Sequence, residues 1–294
     1  MRHRADFGSA SKMSLMPAYK FAYSPCPNDT YVFGALTNGL LTDAPQVSAH
    51  LADIEELNTA AAQGQYALTK VSYGAIPFLM DRYRILPSGG ALGRNCGPLL
   101  VARPAGSPQL FADFARKRIA IPGERTTAFM LLQLALGRRP KTVSMRFDRI
   151  VDAVAKGDVD AGLIIHESRF TYRDAGLISI ADMGEWWETM TILPVPLGAI
   201  LVRNDIGDDD AKLLNSAIRR SLAFARENED AIMPYVREHA VEMSDAVMKS
   251  HIELYVNEFT DDLGHDGRTA VHALFSRAHD AGILHRHVEP VFAQ

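Results

Sequence analysis

Short apolar runs alternate with amphipathic runs from residue 19 to about residue 203 of this 294-residue chain. This alternation predicts β/α units, because a buried strand reads as a short apolar run and a packed helix shows apolar residues at spacings of three and four. From residue 208 onward the pattern is helical nearly throughout, as in 210–228 and 244–257. The pattern therefore predicts an α/β protein with a helical C-terminal part.

Two clusters of proline and glycine, at 104–108 and 193–198, interrupt the alternation. Such clusters favour chain crossings, and the length suits two lobes of about 100–150 residues each. The predicted division is a polar leader at 1–18, a first lobe at 19–103 plus 199–294, and a second lobe at 104–198. Periodicity thus supports two α/β lobes, which hinge bending can close around a ligand in the cleft between them.

The charge balance argues against nucleic acid as a partner. The chain has 31 basic and 35 acidic residues and a net charge of -4, and the basic residues do not form a patch that would attract a phosphate backbone. No apolar run reaches the roughly 18 residues of a membrane span, and the N-terminus lacks the apolar segment of a secretory signal. We therefore predict no membrane insertion and no export.

Cys26 and Cys96 are the only cysteines. They form neither a CxxC motif nor a metal-binding array, which fits free thiols in a reducing compartment. The sequence thus predicts a cytoplasmic protein without a metal site.

His166 follows the apolar run 161–165 and so lies at the carboxyl end of a predicted buried strand. Clefts of open α/β sheets form at that end, and an imidazole there is suited to act as a general base near neutral pH. The alternative, commoner on the residues alone, is a histidine that only satisfies a loop carbonyl. Glu167 and Ser168 are not expected to join His166 in a triad, because neighbouring strand residues point to opposite faces.

Two loops have matching positions in the two lobes. SPCPNDT at 24–30 and PGERTTAFM at 122–130 each connect a predicted strand to a predicted helix. Free N–H groups at a helix N-terminus, with the hydroxyls of Thr126 and Thr127, suit a carboxylate. The structural alternative is a turn with a helix cap, for which Asn, Asp and Thr are common residues. Two such loops on opposing lobes are more informative than either alone.

Other chemical signals favour structural interpretations. The glycine-rich segment 89–98 lacks the spacing of phosphate-binding loops, so no nucleotide cofactor is predicted. Asp53, Glu55 and Glu56 lie in the first turn of a predicted helix, where the helix dipole explains acidic residues.

Trp186 and Trp187 either line the mouth of the cleft or fill the core of the second lobe, and the core is the favoured interpretation. His285 and His287 are two residues of a metal-ligating type, but the sequence offers no third ligand beside them. We therefore assign them to the surface.

Several segments together resemble one family, the 1,4-dihydroxy-6-naphthoate synthases of the futalosine route to menaquinone. They are SPCPNDT (24–30), DIEELN (53–58), LTKVSYGA (68–75), SGGALGRNCGPLLVAR (88–103), IPGERTTA (121–128), AGLIIHESRFTY (161–172) and YVNEFTDDLG (255–264). The resemblance begins near residue 19 and leaves out the leader. Small departures occur at Asn95, where a glycine is expected, and at Val195.

The resemblance implies the two-lobed, type 2 periplasmic-binding-protein-like fold and a cytoplasmic, cofactor-free carbon–carbon lyase that converts cyclic dehypoxanthinylfutalosine to 1,4-dihydroxy-6-naphthoate. It implies His166 as the general base, and we predict that a substrate carboxylate rests on Thr127 and the helix N-terminus. The residues that it implies as substrate-binding, or as lying nearby, are Ser72, Thr127 with the backbone at Ala128, Asn58 and Asp29.

Two other functions stay open on the sequence. A non-catalytic solute-binding protein has the same predicted fold but normally carries an export signal. Chorismate dehydratase also shares the two-lobed fold, although SPCPNDT and IIHESR argue against it. The predicted partner is a small-molecule carboxylate. The sequence leaves the oligomeric state undecided, and a homodimer is one alternative.

Overall fold

In a computed structural model of the chain, the described residues are 18–106, 109–240 and 244–293. The predicted leader lies outside this range except for Ala18. The strands are Tyr19–Tyr23 (β1), Val47–Leu51 (β2), Leu68–Ser72 (β3), Tyr83–Ile85 (β4), Ala91–Gly93 (β5), Leu99–Ala102 (β6), Arg118–Ile121 (β7), Lys141–Ser144 (β8), Ala161–Ile164 (β9), Ile178–Asp182 (β10) and Val195–Arg203 (β11).

In the described residues, helices separate the strands from β1 to β3 and from β7 to β11, no α-helix lies between β3 and β7, and after β11 the helices follow one another. They are Pro27–Thr37 (α1), Ile54–Ala62 (α2), Thr127–Leu136 (α3), Ile150–Lys156 (α4), Ser168–Thr171 (α5), Met183–Thr191 (α6), Asp208–Glu227 (α7), Glu229–His239 (α8), Asp245–Tyr255 (α9), Glu258–Asp261 (α10) and Gly264–Asp280 (α11). The predicted β/α alternation and the helical C-terminal part are both confirmed.

The strands form two sheets. In the first sheet the order is β2-β1-β3-β11-β4, with β5 also paired to β11. β1 runs parallel to β2 and β3, whereas β11 is antiparallel to its neighbours. The central strand β3 is buried at every position, as expected where helices cover both faces of a sheet. We call this sheet with its helices the first lobe.

The second sheet has the order β10-β6-β9-β7-β8, and with its helices it forms the second lobe. β6 pairs with β9 and β10, although residues 99–102 belong to the predicted first lobe. Residues 195–198 of β11 pair in the first sheet, although they belong to the predicted second lobe. By strand pairing, the chain therefore passes between the sheets at 94–98 and again within 183–194, earlier than predicted. β6 and β7, the strands before and after the cluster at 104–108, both belong to the second sheet.

The C-terminal helices pack mainly on the first lobe, as predicted. α7, α8 and α9 contact α1, and α11 contacts β11. α7 buries one apolar stripe that includes Leu214, Ile218 and Leu222, and this spacing is that of one helix face. None of the helices in the described part of the chain is long and apolar enough to cross a membrane.

The sequence pattern predicts helices at 73–80 and at 107–115, and neither prediction agrees with the described residues. In 73–80 only the turn Ile76–Phe78 is helical, because Pro77 donates no backbone hydrogen bond and Gly74 fits closely against the second lobe. In 107–115 the described residues form a 3₁₀ turn, Phe111–Arg116. Asn95 has a φ of 57°, a left-handed conformation that glycine adopts readily, which explains the glycine expected there.

Candidate active site

A cavity lies between the two lobes, at the carboxyl ends of β3 and β9 and the N-terminus of α3. The cavity and its mouth together contain about 590 Å³ of empty space, open solvent included. Its lining includes Asn28, Lys70, Ser72, Ala128, His166 and Tyr255. Both lobes and the C-terminal helix α9 thus contribute to one site.

His166 lies two residues beyond the end of β9, and its side chain lines the cavity. Its φ of 56° is left-handed, a conformation that costs energy for a residue other than glycine and that is typical of functional positions. Its ring packs edge-on against Phe147, with centroids 4.9 Å apart. Burial, and next the charge of Lys70, lower the pKa of His166 to about 3. The imidazole is therefore neutral near pH 7 and can accept a proton.

The strand alternation on which we expected Glu167 not to join His166 in a triad does not apply in the structure. β9 ends at Ile164, and the left-handed turn at His166 replaces the strand alternation on which the expectation rested. Ligand-type atoms of Cys26, His166 and Glu167 all lie within 4.8 Å of one another. The loop before α1 and the loop after β9 therefore meet at the cavity.

Thiol, imidazole and carboxylate are ligand types of transition metals, and in the described part of the chain these three residues form such a group. Burial, and then the charges of Glu167 and Asp29, raise the pKa of Cys26 well above its usual value. The thiol therefore stays protonated, whereas a metal needs the thiolate. The ammonium group of Lys70 also acts on both Cys26 and His166. Without a bound cation, the cluster therefore contains a thiol and not a thiolate.

Ser72 ends β3 and faces the cavity. Asn58, buried on α2, accepts the Ser72 N–H at 2.9 Å and donates to Ser72 Oγ at 3.2 Å. Because Ser72 Oγ is an acceptor in this contact, its own proton remains available for a ligand. Asn58 Nδ2 is held in turn by Glu55 Oε2 at 2.9 Å. Asn58, which does not line the cavity, thus orients Ser72.

Asp29 forms a buried ion pair with Lys70 of β3. Its carboxylate also accepts hydrogen bonds from Ser24 Oγ at 2.7 Å and from Asn28 Nδ2 at 2.8 Å. Asn28 and Lys70 line the cavity, whereas Asp29 lies behind them. A buried ammonium group is tolerated only beside a countercharge, so Asp29 holds Lys70 at the cavity. Lys70 was not among the site residues predicted from the sequence. A lysine in the middle of a predicted buried strand is the feature that could have indicated it.

The N-terminus of α3 faces the cavity. Thr126 is the N-cap, and its hydroxyl accepts the Phe129 N–H at 3.3 Å. The N–H groups of Thr127 and Ala128, the first two helical positions, have no acceptor within the helix, and both residues line the cavity. Exposed N–H groups at a helix N-terminus attract anions. This end of the cavity therefore suits a carboxylate.

The Thr127 hydroxyl connects the two lobes. It donates to the Leu197 carbonyl at 2.7 Å and accepts the Gly74 N–H at 3.0 Å. Since the single hydroxyl proton is used in this contact, Thr127 offers an anion its backbone N–H and not its side chain. A Cβ atom on Gly74 would lie 2.8 Å from the Thr126 carbonyl oxygen, so the lobes approach this closely only because residue 74 is glycine.

The acidic residues of α2 have structural roles, as the sequence indicated. Asp53 is the N-cap of α2 and accepts the Glu55 N–H at 2.9 Å. Glu55 reaches across the cleft, where its carboxylate accepts the Arg125 N–H at 3.3 Å. Burial raises the pKa of Glu55, in line with its position between the lobes.

The aromatic and histidine pairs also follow the structural interpretation. Trp187 is fully buried in the core, and its indole N–H donates to the Pro194 carbonyl at 3.0 Å. Trp186 packs against the same core. His287 is exposed and lies 2.7 Å from the Glu289 carboxylate, and the exposed His285 joins no metal-type group in the described ranges.

Sequence comparison connects the chain to a family and to two characterised relatives. A family model described as menaquinone biosynthesis matches residues 19–280. A 1,4-dihydroxy-6-naphthoate synthase of Thermus thermophilus is 46% identical over 278 residues, which are 94% of this chain and 100% of the relative. A 1,4-dihydroxy-6-naphthoate synthase of Streptomyces coelicolor is 46% identical over 270 residues, which are 90% of this chain and 94% of the relative.

Two solved structures resemble the chain in fold. A protein from Archaeoglobus fulgidus is 35% identical with a TM-score of 0.85, over 91% of this chain and 98% of that protein. The alkanesulfonate-binding protein of Xanthomonas axonopodis pv. citri is 14% identical with a TM-score of 0.73, over 93% of this chain and 96% of that protein. At that identity the second likeness shows the fold alone, and it confirms the predicted two-lobed, periplasmic-binding-protein-like fold.

Proposed function

The chain belongs to the menaquinone-biosynthesis family that contains the 1,4-dihydroxy-6-naphthoate synthases, and we propose that it cleaves cyclic dehypoxanthinylfutalosine with His166 as the general base. The observation that carries the proposal is the neutral imidazole of His166 in a cavity that the N-terminus of α3 and the ammonium group of Lys70 make attractive to an anion.

The anchoring groups define how the substrate binds in this proposal. The substrate carboxylate accepts the N–H groups of Thr127 and Ala128, where the helix dipole adds a favourable charge. The Lys70 ammonium group compensates the remaining negative charge. Ser72 donates its free hydroxyl proton to a substrate oxygen. The carboxylate therefore fixes one end of the substrate, and the reacting carbon lies at His166.

The chemistry needs only proton transfer and rearrangement of electron pairs within the substrate. His166 removes a proton beside a carbonyl group, and the hydrogen-bond donors of the cavity stabilise the negative charge on the resulting enolate oxygen. The electron pair then breaks the carbon–carbon bond, and formation of the aromatic ring provides the driving force. Closure of the lobes through Thr127 and Gly74 keeps water away from the enolate.

The direct test is to incubate the purified protein with cyclic dehypoxanthinylfutalosine and to measure 1,4-dihydroxy-6-naphthoate by chromatography. We expect the naphthoate to form in step with consumption of the substrate. A protein that binds the substrate without consuming it would instead be a solute-binding protein. Turnover of chorismate in a parallel reaction would point to chorismate dehydratase. We also propose a cytoplasmic location, which the buried free thiols of Cys26 and Cys96 support.

The pH dependence of kcat/KM follows from the low pKa of His166. A base works in its neutral form, and His166 in the free enzyme stays neutral until the pH approaches about 3. We therefore expect kcat/KM, which reports the free enzyme, to show no fall near pH 6.5 as the pH is lowered from 8 to 5. A half-maximal kcat/KM near pH 6.5 would contradict the assignment.

The pH dependence of kcat is expected to differ. A bound carboxylate brings a negative charge into the cavity, and a nearby negative charge raises the pKa of an imidazole. The acid limb of kcat is therefore expected at a higher pH than that of kcat/KM. This shift makes His166 a stronger base when the substrate is bound than when the cavity is empty of anions.

A further inference from the structure

His251 is a buried histidine whose polar atoms are not used by the fold. It lies on α9, it is fully buried, and neither Nδ1 nor Nε2 has a hydrogen-bond partner among the described residues. A neutral imidazole carries one N–H donor and one acceptor nitrogen. Buried polar groups in native proteins are nearly always paired, and the exceptions call for a functional explanation. A phenylalanine would fill the same space without leaving polar atoms unpaired.

The ring of His251 lies beside that of His166. Their centroids are 6.3 Å apart, and their planes are inclined by 24°. The rings of Tyr255 and Phe170 surround His251 on other sides, with centroid distances of 4.6 Å and 6.3 Å. A centroid distance of 6.3 Å is too long for a direct N–H···N bond between the two rings, but it suits one bridging water molecule between a nitrogen of His251 and a nitrogen of His166.

Both imidazoles are neutral at the pH where the protein works. Burial lowers the pKa of His251 well below its usual value, and the charges of His166 and Lys70 lower it further. A proton that enters this pair therefore meets two neutral rings, of which His166 lines the cavity and His251 lies behind it. Two interacting groups of this kind titrate as a pair and can share one proton.

We propose that His251 is a positioning residue that accepts the second ring N–H of His166 through one bridging water molecule, so that the lone pair of His166 faces the substrate. The inference rests on the proposed function of His166. A histidine used as a base needs its other nitrogen fixed by a hydrogen bond, because that bond sets the tautomer.

In this proposal, the histidine pair returns to its starting protonation state after each turnover. His166 receives the substrate proton on the nitrogen that faces the cavity, and the resulting imidazolium shares its other proton, through the bridging water molecule, with the acceptor nitrogen of His251. When the carbon–carbon bond breaks, His166 delivers a proton to the departing carbon, and both rings return to the neutral state. No oxidant, reductant or metal takes part.

The variant His251→Phe tests the role, since it keeps an aromatic ring against Tyr255 and Phe170 but removes both nitrogens. We expect kcat to fall about 10- to 100-fold, toward the lower end of what acid–base groups contribute, with KM within about twofold of the wild-type value. The melting temperature is expected to change little, because the variant removes the unpaired N–H of His251 but also removes the acceptor of the His166 N–H. The variant His251→Gln, which keeps a hydrogen-bonding group, should recover part of kcat.

Phe170→Leu is the matched packing control, because it alters the contact with the same ring without changing any nitrogen. It should leave kcat near the wild-type value. Wild-type kcat in His251→Phe, or equal losses in His251→Phe and Phe170→Leu, would overturn the proposal.

A measurement without turnover separates this inference from the proposed function. Nitrogen-15 NMR of labelled histidines reports the tautomer of each ring, and His166→Asn assigns the His166 signals. We expect His251→Phe to shift the tautomer equilibrium of His166 in the free protein. If the wild type fails to release the naphthoate, the proposed function fails, yet this shift still tests the pairing. An unchanged His166 spectrum in His251→Phe would refute the pairing alone.

Discussion

His166→Asn is expected to lower kcat by about 10²- to 10⁴-fold, the range by which a positioned acid–base side chain accelerates proton transfer. Asparagine removes the basic nitrogen and leaves a short polar side chain. It is preferable to alanine here, because residue 166 has a φ of 56° and asparagine tolerates the left-handed conformation better than most residues. A loss of activity then reflects the missing base and not a strained loop.

Binding is expected to survive this substitution. The anchoring groups, the N–H groups at the start of α3 and the Lys70 ammonium group, do not depend on the imidazole. The dissociation constant of the naphthoate product, measured by calorimetry, should therefore change by less than about tenfold. His50→Asn serves as the matched control, since His50 is exposed on β2. Turnover in His166→Asn comparable to that in His50→Asn would remove His166 from its proposed role.

Asp29→Asn is expected to destabilise the protein by about 3–5 kcal/mol, the usual cost of removing one partner of a buried ion pair. The substitution preserves the shape of the side chain but leaves the Lys70 ammonium group buried without a countercharge. It also weakens the hydrogen bond from Ser24 Oγ, which a carboxylate accepts more strongly than an amide does. The free energy of unfolding from urea denaturation measures the loss.

The double variant Asp29→Asn, Lys70→Met separates charge from packing. Replacing both members of a buried pair by neutral groups is often close to neutral for stability, so the double variant should recover most of the loss. It should still bind the substrate poorly, because Lys70 lines the cavity. Asp152→Asn breaks the exposed pair between Asp152 and Lys156 and should change stability little. An Asp29→Asn variant as stable as Asp152→Asn would show that the buried pair is not needed.

The two variants test different parts of one site. His166 performs the proposed proton transfer, whereas Asp29 acts through Lys70 and does not itself line the cavity. Loss of turnover with intact binding is expected for the first, and loss of stability for the second. Together they distinguish a catalytic residue from a residue that supports the site.

Local sequence patterns predicted a large part of the fold because they depend on near neighbours. The period of apolar residues predicts β3 and α3 within two residues of their observed bounds, and Thr126 is the helix cap that its position suggested. The predicted helix at 73–80 fails for a reason outside that segment. Gly74 fits against the backbone of Thr126, and no local period reports a contact across two lobes.

The crossings between the lobes were misplaced for a similar reason. Proline and glycine at 104–108 indicate a turn, and the described residues 103–106 form a loop after β6. Whether a loop leads to another sheet depends on which strands pair, and strand pairing is a long-range property. Residues 99–102 join the second sheet because β9 and β10 lie beside them.

The sequence by itself determined the α/β class, the position of His166 after an apolar strand and a helix N-terminus facing a ligand site, since each follows from periodicity and local hydrogen bonding. Only the tertiary structure decided the chemical surroundings of His166. The left-handed turn at His166 brings Glu167 to its side, the pair of Asp29 and Lys70 brings a charge to the cavity, and α9 brings His251 behind the ring. These groups are far apart in sequence, and burial gives their charges and hydrogen bonds a strength that no exposed segment would show.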